Sequence, residues 1–173
     1  MKAIPLVIPD VKIIEIDLFN DERGFFFESY NNDKFSKAVN RNVNFIQDNH
    51  SKSKKGVIRG LHYQVLPYEQ AKLIRVVSGE IFDVAFDIRH NSPTFGHYVT
   101  AILSSENKRQ LWVPEGFAHG FQVLTDYAEV IYKVNNAYSI FHEKTINPFD
   151  KEININWPIK SNVTWQDKKM FNN

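Results

Sequence analysis

Apolar and polar residues alternate along most of this chain with a period of two. The runs at residues 11–19, 43–47, 57–64, 72–77, 81–88, 98–103, 109–113, 120–124 and 128–134 carry that pattern, and each reads as a β-strand. Turn-forming residues separate them: Asn20-Asp21, Ser78-Gly79, Asn91-Ser92-Pro93, Ser104-Ser105-Glu106-Asn107, Pro114-Glu115-Gly116 and Thr125-Asp126. Helical spacing is found at residues 33–39, where Phe35, Ala38 and Val39 follow the cap candidates Asn32 and Asp33. So many short strands predict an all-β fold, an antiparallel jelly roll or β-barrel with one short helix. From Asn135 onward the alternation fades into polar residues with scattered aromatics, which predicts an irregular C-terminal tail packed over the barrel. Without a repeat or linker, residues 1–173 read as a single domain of ordinary size.

Composition narrows the function classes. Lys plus Arg (21) nearly cancels Asp plus Glu (20), so no broad field draws the protein to nucleic acid or a membrane surface, and an anionic ligand must be met by local cations. The chain has no cysteine, which removes disulfides, thiolate nucleophiles and Cys-ligated metals. Its first eleven residues, broken by Pro5, Pro9 and Asp10, read as neither a signal peptide nor a membrane span, and the expectation is a cytoplasmic protein. Fourteen Phe, seven Tyr and three Trp suit both a β-rich core and a platform for stacking a ring.

The candidate chemistry interrupts the apolar strands. In Arg59-Gly60-Leu61-His62-Tyr63-Gln64, His62 shares a strand face with Gly60 and Gln64, and strict parity turns Arg59 away from it. Arg59 and His62 can serve one ligand only if the strand bulges near Gly60. Lys72 opens a strand among apolar neighbours; half-buried it can stabilise a developing negative charge, although on sequence alone the simpler expectation is that it snorkels to water. Asp83 and Asp87 share one strand face, which is either a barrel interior that must supply partners or a solvated outer face. Tyr132 is either a core ring or a phenol aimed into a cavity.

Two histidine motifs invite a metal. Pro114-Glu115-Gly116-Phe117-Ala118-His119 resembles the second half of the ligand pattern of metal-dependent cupins, but the first half fails, because Gln64 stands where the second histidine of His-x-His belongs. With only His62 and His119 as ligands, the expectation is a cupin scaffold with no metal and no cofactor.

Over residues 5–158 the chain resembles the dTDP-4-dehydrorhamnose 3,5-epimerase family of cupins. The resemblance is carried by Asp21-Glu22-Arg23-Gly24-Phe25-Phe26, Phe45-Ile46-Gln47-Asp48-Asn49, Arg59-Gly60-Leu61-His62, Gly79-Glu80-Ile81-Phe82-Asp83-Val84, Ser92-Pro93-Thr94-Phe95-Gly96 and Trp112-Val113-Pro114-Glu115-Gly116-Phe117-Ala118-His119-Gly120. It implies a nucleotide-linked 4-keto-6-deoxysugar as substrate, whose C4 ketone acidifies the hydrogens on C3 and C5. It also implies His62 as base, Asp167 fixing the tautomer of that ring, Lys72 meeting the enolate oxygen and Tyr132 returning a proton on the opposite face. Arg23 and Arg59 match contacts to the pyrophosphate, Glu28, Gln47, Asn49, His119 and Glu143 match further binding positions, and Tyr138 matches an aromatic that packs on the base. The segment carrying Arg23 and Glu28 is expected to cross to a partner, giving a homodimer with shared sites.

The chain departs from that pattern at Gln70-Ala71-Lys72 (usually Gln-Gly-Lys), at Thr145-Ile146-Asn147-Pro148-Phe149-Asp150 (usually Gly-Ile-x-Trp-Asn-Asp) and at Thr164-Trp165-Gln166-Asp167 (usually Ser-x-Lys-Asp). The functions to separate are a 3,5-epimerase, a mono-epimerase acting on one carbon, a metal-dependent cupin enzyme and a non-catalytic sugar-nucleotide binder. A base, an enolate-stabilising cation and a proton donor are superfluous for mere binding.

Overall fold

The computed structural model describes residues 1–166. In chain order its elements are β1 (Lys2–Pro5), β2 (Lys12–Glu15), β3 (Phe19–Asp21), β4 (Gly24–Phe26), α1 (Asn32–Val39), β5 (Gln47–Lys54), β6 (Ile58–Gln64), β7 (Lys72–Ser78), β8 (Glu80–Asp87), β9 (Tyr98–Ser104), β10 (Gln110–Val113), β11 (Phe117–Val123), β12 (Tyr127–Val134) and β13 (Glu143–Thr145). Among the described residues these strands form one sheet in the order β1-β2-β10-β7-β12-β5, a second in the order β13-β6-β11-β8-β9, and the separate hairpin β3-β4. The strand pairs within the sheets are antiparallel, as the jelly-roll expectation requires.

The two sheets face each other across the main core. Ile74, Leu111 and Val130 of the first meet Ile81, Ala85, Leu103, Phe117 and Val123 of the second. Both sheets are also covered outside. Phe35 and Val39 of α1 pack with Val43 on Ile14, Leu73 and Trp112, while Ile155 and Trp157 of the C-terminal segment cover Ile58, Leu61, Val84 and Ala118. Cover on both faces is why β8 and β11 are buried along nearly their whole length, polar residues such as Asp83, Asp87, His119 and Gln122 included. Asn31 caps α1 by accepting from the backbone N–H of Lys34, one residue before the cap candidates read from the sequence.

Several expectations need correction. The run at 43–47 is no strand: Val43 and Phe45 anchor the helix layer, and the strand begins at Gln47 and continues through Lys54. That strand has almost no apolar residues, because its inner face lines a cavity and its outer face is exposed, so no hydrophobic pattern could reveal it. The run at 11–19 divides into β2 and β3, and Asn20-Asp21 lies within the hairpin strand instead of at its turn. The strand at 120–124 starts earlier, at Phe117, and includes His119. β1, β4 and β13 were not anticipated; β13 sits inside the supposedly irregular tail and pairs with β6.

The bulge required near Gly60 is present. On β11 His119 and Phe121 are two residues apart, but their partners on β6, His62 and Arg59, are three apart. Ile58 and Leu61 consequently both join the outer cluster, while Arg59 and His62 both reach the inner cavity. Gly60 makes this possible: its φ is +108°, and a Cβ there would lie 2.4 Å from the His119 carbonyl oxygen and 2.6 Å from Gly120 Cα. Gly60→Ala should therefore cost at least about 2 kcal/mol in urea denaturation. Gly96→Ala, whose site has a left-handed φ but open space, should cost about 1 kcal/mol. Equal losses at the two positions would contradict the close approach at Gly60.

Candidate functional site

One end of the space between the sheets is polar. A cavity of about 440 Å³ is lined by Arg59, His62, Lys72, His119, Tyr132 and Trp165, among others. A second, of about 30 Å³, is lined by Gln47, Asn49, Gln64, Tyr138 and Glu143, and shares His62, Lys72 and Tyr132 with the first. The three shared side chains, from β6, β7 and β12, thus stand where the two spaces meet.

Their electrostatics follow from burial. Lys72 is 8% exposed, so it does not snorkel to water as the sequence alone suggested; its ammonium lies 3.5 Å from the His62 carbonyl oxygen. Desolvation pushes its pKa down to about 8, while the carboxyls of Asp83 and Glu143 act to raise it. His62 is pushed down to about 4, first by burial and then by the charges of Lys72, His119 and Arg59, so at neutral pH its ring is an uncharged base. Burial raises the Tyr132 phenol above its ordinary value, and the Glu143 carboxylate adds to the rise against Arg59.

Asp83 lies fully buried in the interior, and its Oδ1 is 2.8 Å from His119 Nε2. Burial raises its carboxyl pKa against the lowering effects of His119 and Lys72. Asp87, on the same strand face, is also buried and not solvated, and Arg89, Ser92 and Thr94 all donate to it. Glu143 accepts from the Tyr138 hydroxyl at 2.9 Å, and burial with this carboxylate pushes the Tyr138 phenol up to about 12. Gln47 donates to Asn49 at 2.8 Å, and Arg59 to Ser53 at 2.8 Å.

Most of the expected site residues therefore converge: His62, Tyr132, Lys72, Gln47, Asn49, Arg59, His119, Tyr138 and Glu143 line the joined cavities. Arg23 and Glu28 do not line them. The Arg23 side chain is 90% exposed and paired with Asp21, and Glu28 pairs with Lys34 at 2.9 Å. Asp167 lies outside the described residues.

Three further residues escaped sequence reasoning as members of this site. Gln64 donates to the carbonyls of Tyr68 and Ala137 and accepts from the Ser139 N–H, clamping the backbone on either side of Tyr138. The Trp165 indole donates to the Gly60 carbonyl at 2.6 Å and walls the larger cavity. Thr145 Oγ1 is 3.3 Å from His62 Nδ1. The available signal was that Thr145 and Trp165 fall in the segments where the chain leaves the family pattern. Among the described residues, no group of three or more His, Asp or Glu side chains is disposed to hold a metal ion.

Fold and site together define a class, a cupin-type double-sheet β-barrel with a cavity lined by titratable side chains between its sheets. More narrowly, the chain belongs to the dTDP-4-dehydrorhamnose 3,5-epimerase family, whose sequence model matches residues 5–172. It is 62% identical over 161 residues to the dTDP-4-dehydrorhamnose 3,5-epimerase of Shigella flexneri, covering 93% of this chain and 89% of that protein. Its fold superposes with a TM-score of 0.93 on the dTDP-6-deoxy-D-glucose-3,5-epimerase of Legionella pneumophila Philadelphia 1 in complex with dTDP-4-keto-L-rhamnose, at 47% identity, covering 96% of this chain and 88% of that one. The dTDP-4-dehydrorhamnose 3,5-epimerase of Bacillus anthracis with TDP and PPi bound gives a TM-score of 0.89 at 47% identity, covering 94% and 93%.

The depressed pKa of His62 has a consequence for stability. A histidine that titrates near 4 when folded and near 6.5 when unfolded takes up its proton first in the unfolded chain as pH falls. Above pH 6.5 neither state is protonated to any great extent and no ionisation penalty arises, so stability is lost between pH 6.5 and 4. Relative to His62→Asn, the wild-type protein should lose about 2 kcal/mol of unfolding free energy between pH 7 and pH 5. A difference that stays constant with pH would contradict the buried neutral ring.

Proposed function

We propose that this chain epimerises C3 and C5 of dTDP-4-dehydro-6-deoxy-D-glucose, giving dTDP-4-dehydro-L-rhamnose. The observation that carries this reading is the meeting of a neutral imidazole, a buried ammonium and a protonated phenol at the junction of the two cavities. Identity to relatives of that activity along almost the whole chain, and the sugar nucleotide held by the Legionella relative, support the choice of substrate.

The carbon adjacent to the C4 ketone gives its proton to His62, and the C–H electron pair moves into an enolate whose negative charge rests on O4. Lys72, with its proton retained up to about pH 8, stabilises that oxygen; the charge exists only along the reaction path, so the interaction lowers the barrier. Tyr132 returns a proton from the opposite face and the centre inverts. Its raised pKa keeps the hydroxyl intact until a strongly basic enolate carbon faces it. The imidazolium and phenolate left behind exchange protons with water before the second carbon reacts.

Arg59 meets the pyrophosphate from the larger cavity, with His119 beside it, while Gln47, Asn49, Tyr138 and Glu143 line the space for the rest of the ligand. The protein acts as a homodimer in this reading. The hairpin β3-β4 stands outside both main sheets with Phe19 and Phe26 more than half exposed, and a partner that covers these rings would receive Arg23 and Glu28 at its own nucleotide end.

Incubated with dTDP-4-dehydro-6-deoxy-D-glucose in heavy water, the enzyme should place deuterium at both C3 and C5 of the product, read by mass and NMR spectroscopy. His62→Ala should place it at neither. Label at a single carbon in the wild-type reaction would make the protein a mono-epimerase and overturn the two-centre assignment.

A further inference from the structure

β13 does more than close the edge of its sheet. Its register sets Thr145 opposite His62 and Glu143 opposite Gln64. Thr145 Oγ1 comes within 3.3 Å of His62 Nδ1, and Glu143 Oε1 stands 3.8 Å from the same nitrogen. The other oxygen of Glu143 is held by the Tyr138 hydroxyl at 2.9 Å. A single three-residue strand thus presents a hydroxyl and a fixed carboxylate to one side of the imidazole.

A neutral imidazole exists as two tautomers, and only the one with its hydrogen on Nδ1 leaves a lone pair on Nε2. The Thr145 hydroxyl can accept from Nδ1–H, and the Glu143 carboxylate, which can only accept, tips the choice toward that hydrogen. The lone pair then lies on the nitrogen across the ring from β13. Because His62 stays uncharged over the working pH range, the choice between tautomers decides whether a usable base exists.

We propose that Thr145 is a positioning residue for His62: its hydroxyl accepts a hydrogen bond from Nδ1–H and so keeps the basic lone pair of Nε2 turned to the substrate. This rests on the reading of His62 as the base. Thr145 stands where the family pattern that this chain resembles usually has glycine, which has no side chain to offer.

The test pairs ¹⁵N spectra of the imidazole side chains with steady-state kinetics in Thr145→Val, which keeps the shape and loses the hydroxyl, and Thr145→Ser, which keeps the hydroxyl. Wild-type His62 should show the signature of the neutral Nδ1–H tautomer. Thr145→Val should show a mixture and lose roughly fivefold in kcat, the worth of one neutral hydrogen bond, with KM little changed. Thr145→Ser should restore both. An unchanged tautomer signature in Thr145→Val would overturn the proposal whatever happens to the rate, and would give the ring to another partner such as Asp167. The spectra need no turnover, so a wild-type protein inactive on the sugar nucleotide would count against the proposed reaction alone.

Discussion

Lys72 is an ammonium group in a place that water scarcely reaches, and much of the site is arranged around that fact. A buried cation is costly unless acids answer it, and Asp83 on β8 and Glu143 on β13 supply the answering carboxyls. Burial first, and then the same cation, push the His62 pKa down to about 4, so the ring stays neutral well below neutral pH. In the proposed reaction one charge therefore serves two ends: it helps to keep the base in its reactive form, and it meets the negative oxygen that the base creates. Beyond this polar end, the space between the sheets is filled by the apolar core.

Bringing these side chains together requires the backbone to break its own rule. A strand of strict parity would point Arg59 and His62 to opposite faces, and the extra residue at Gly60 returns both to the interior. The bulge fits because β11 approaches closely at His119 and Gly120, where no side chain on residue 60 could be tolerated. The C-terminal segment then fastens the same spot: Thr164 bridges Val57, and the Trp165 indole grips the Gly60 carbonyl. Gln64 ties the two loops on the far side of the base. Along β6, His62 thus stands between the Gly60 bulge and the Gln64 clamp, with β13 paired alongside.

The sequence made the short helix and most of the strands that face the apolar core legible, though not the four-residue β1. It failed where a strand's inward face is polar and lines the cavity, as in Gln47–Lys54, since such a strand has no hydrophobic stripe to show. The parity conflict at Gly60 was visible as a conflict, and the structure resolves it in the direction that chemistry required. The burial of Lys72 was not legible, because its stabilisation depends on Asp83 and Glu143, which are distant in sequence and meet it only in the folded barrel. Thr145 was visible only as a departure from a pattern; its significance lies in a cross-strand register that local sequence does not encode.

The central claim is that burial and the charge of Lys72 hold His62 neutral. The most direct measurement is the titration of the His62 imidazole, followed by ¹⁵N NMR in the wild-type protein and in Lys72→Met. The account requires a wild-type pKa near 4 and a clear rise when the ammonium is removed. A wild-type ring that titrates at 6.5 or above, or one indifferent to the loss of Lys72, would contradict it.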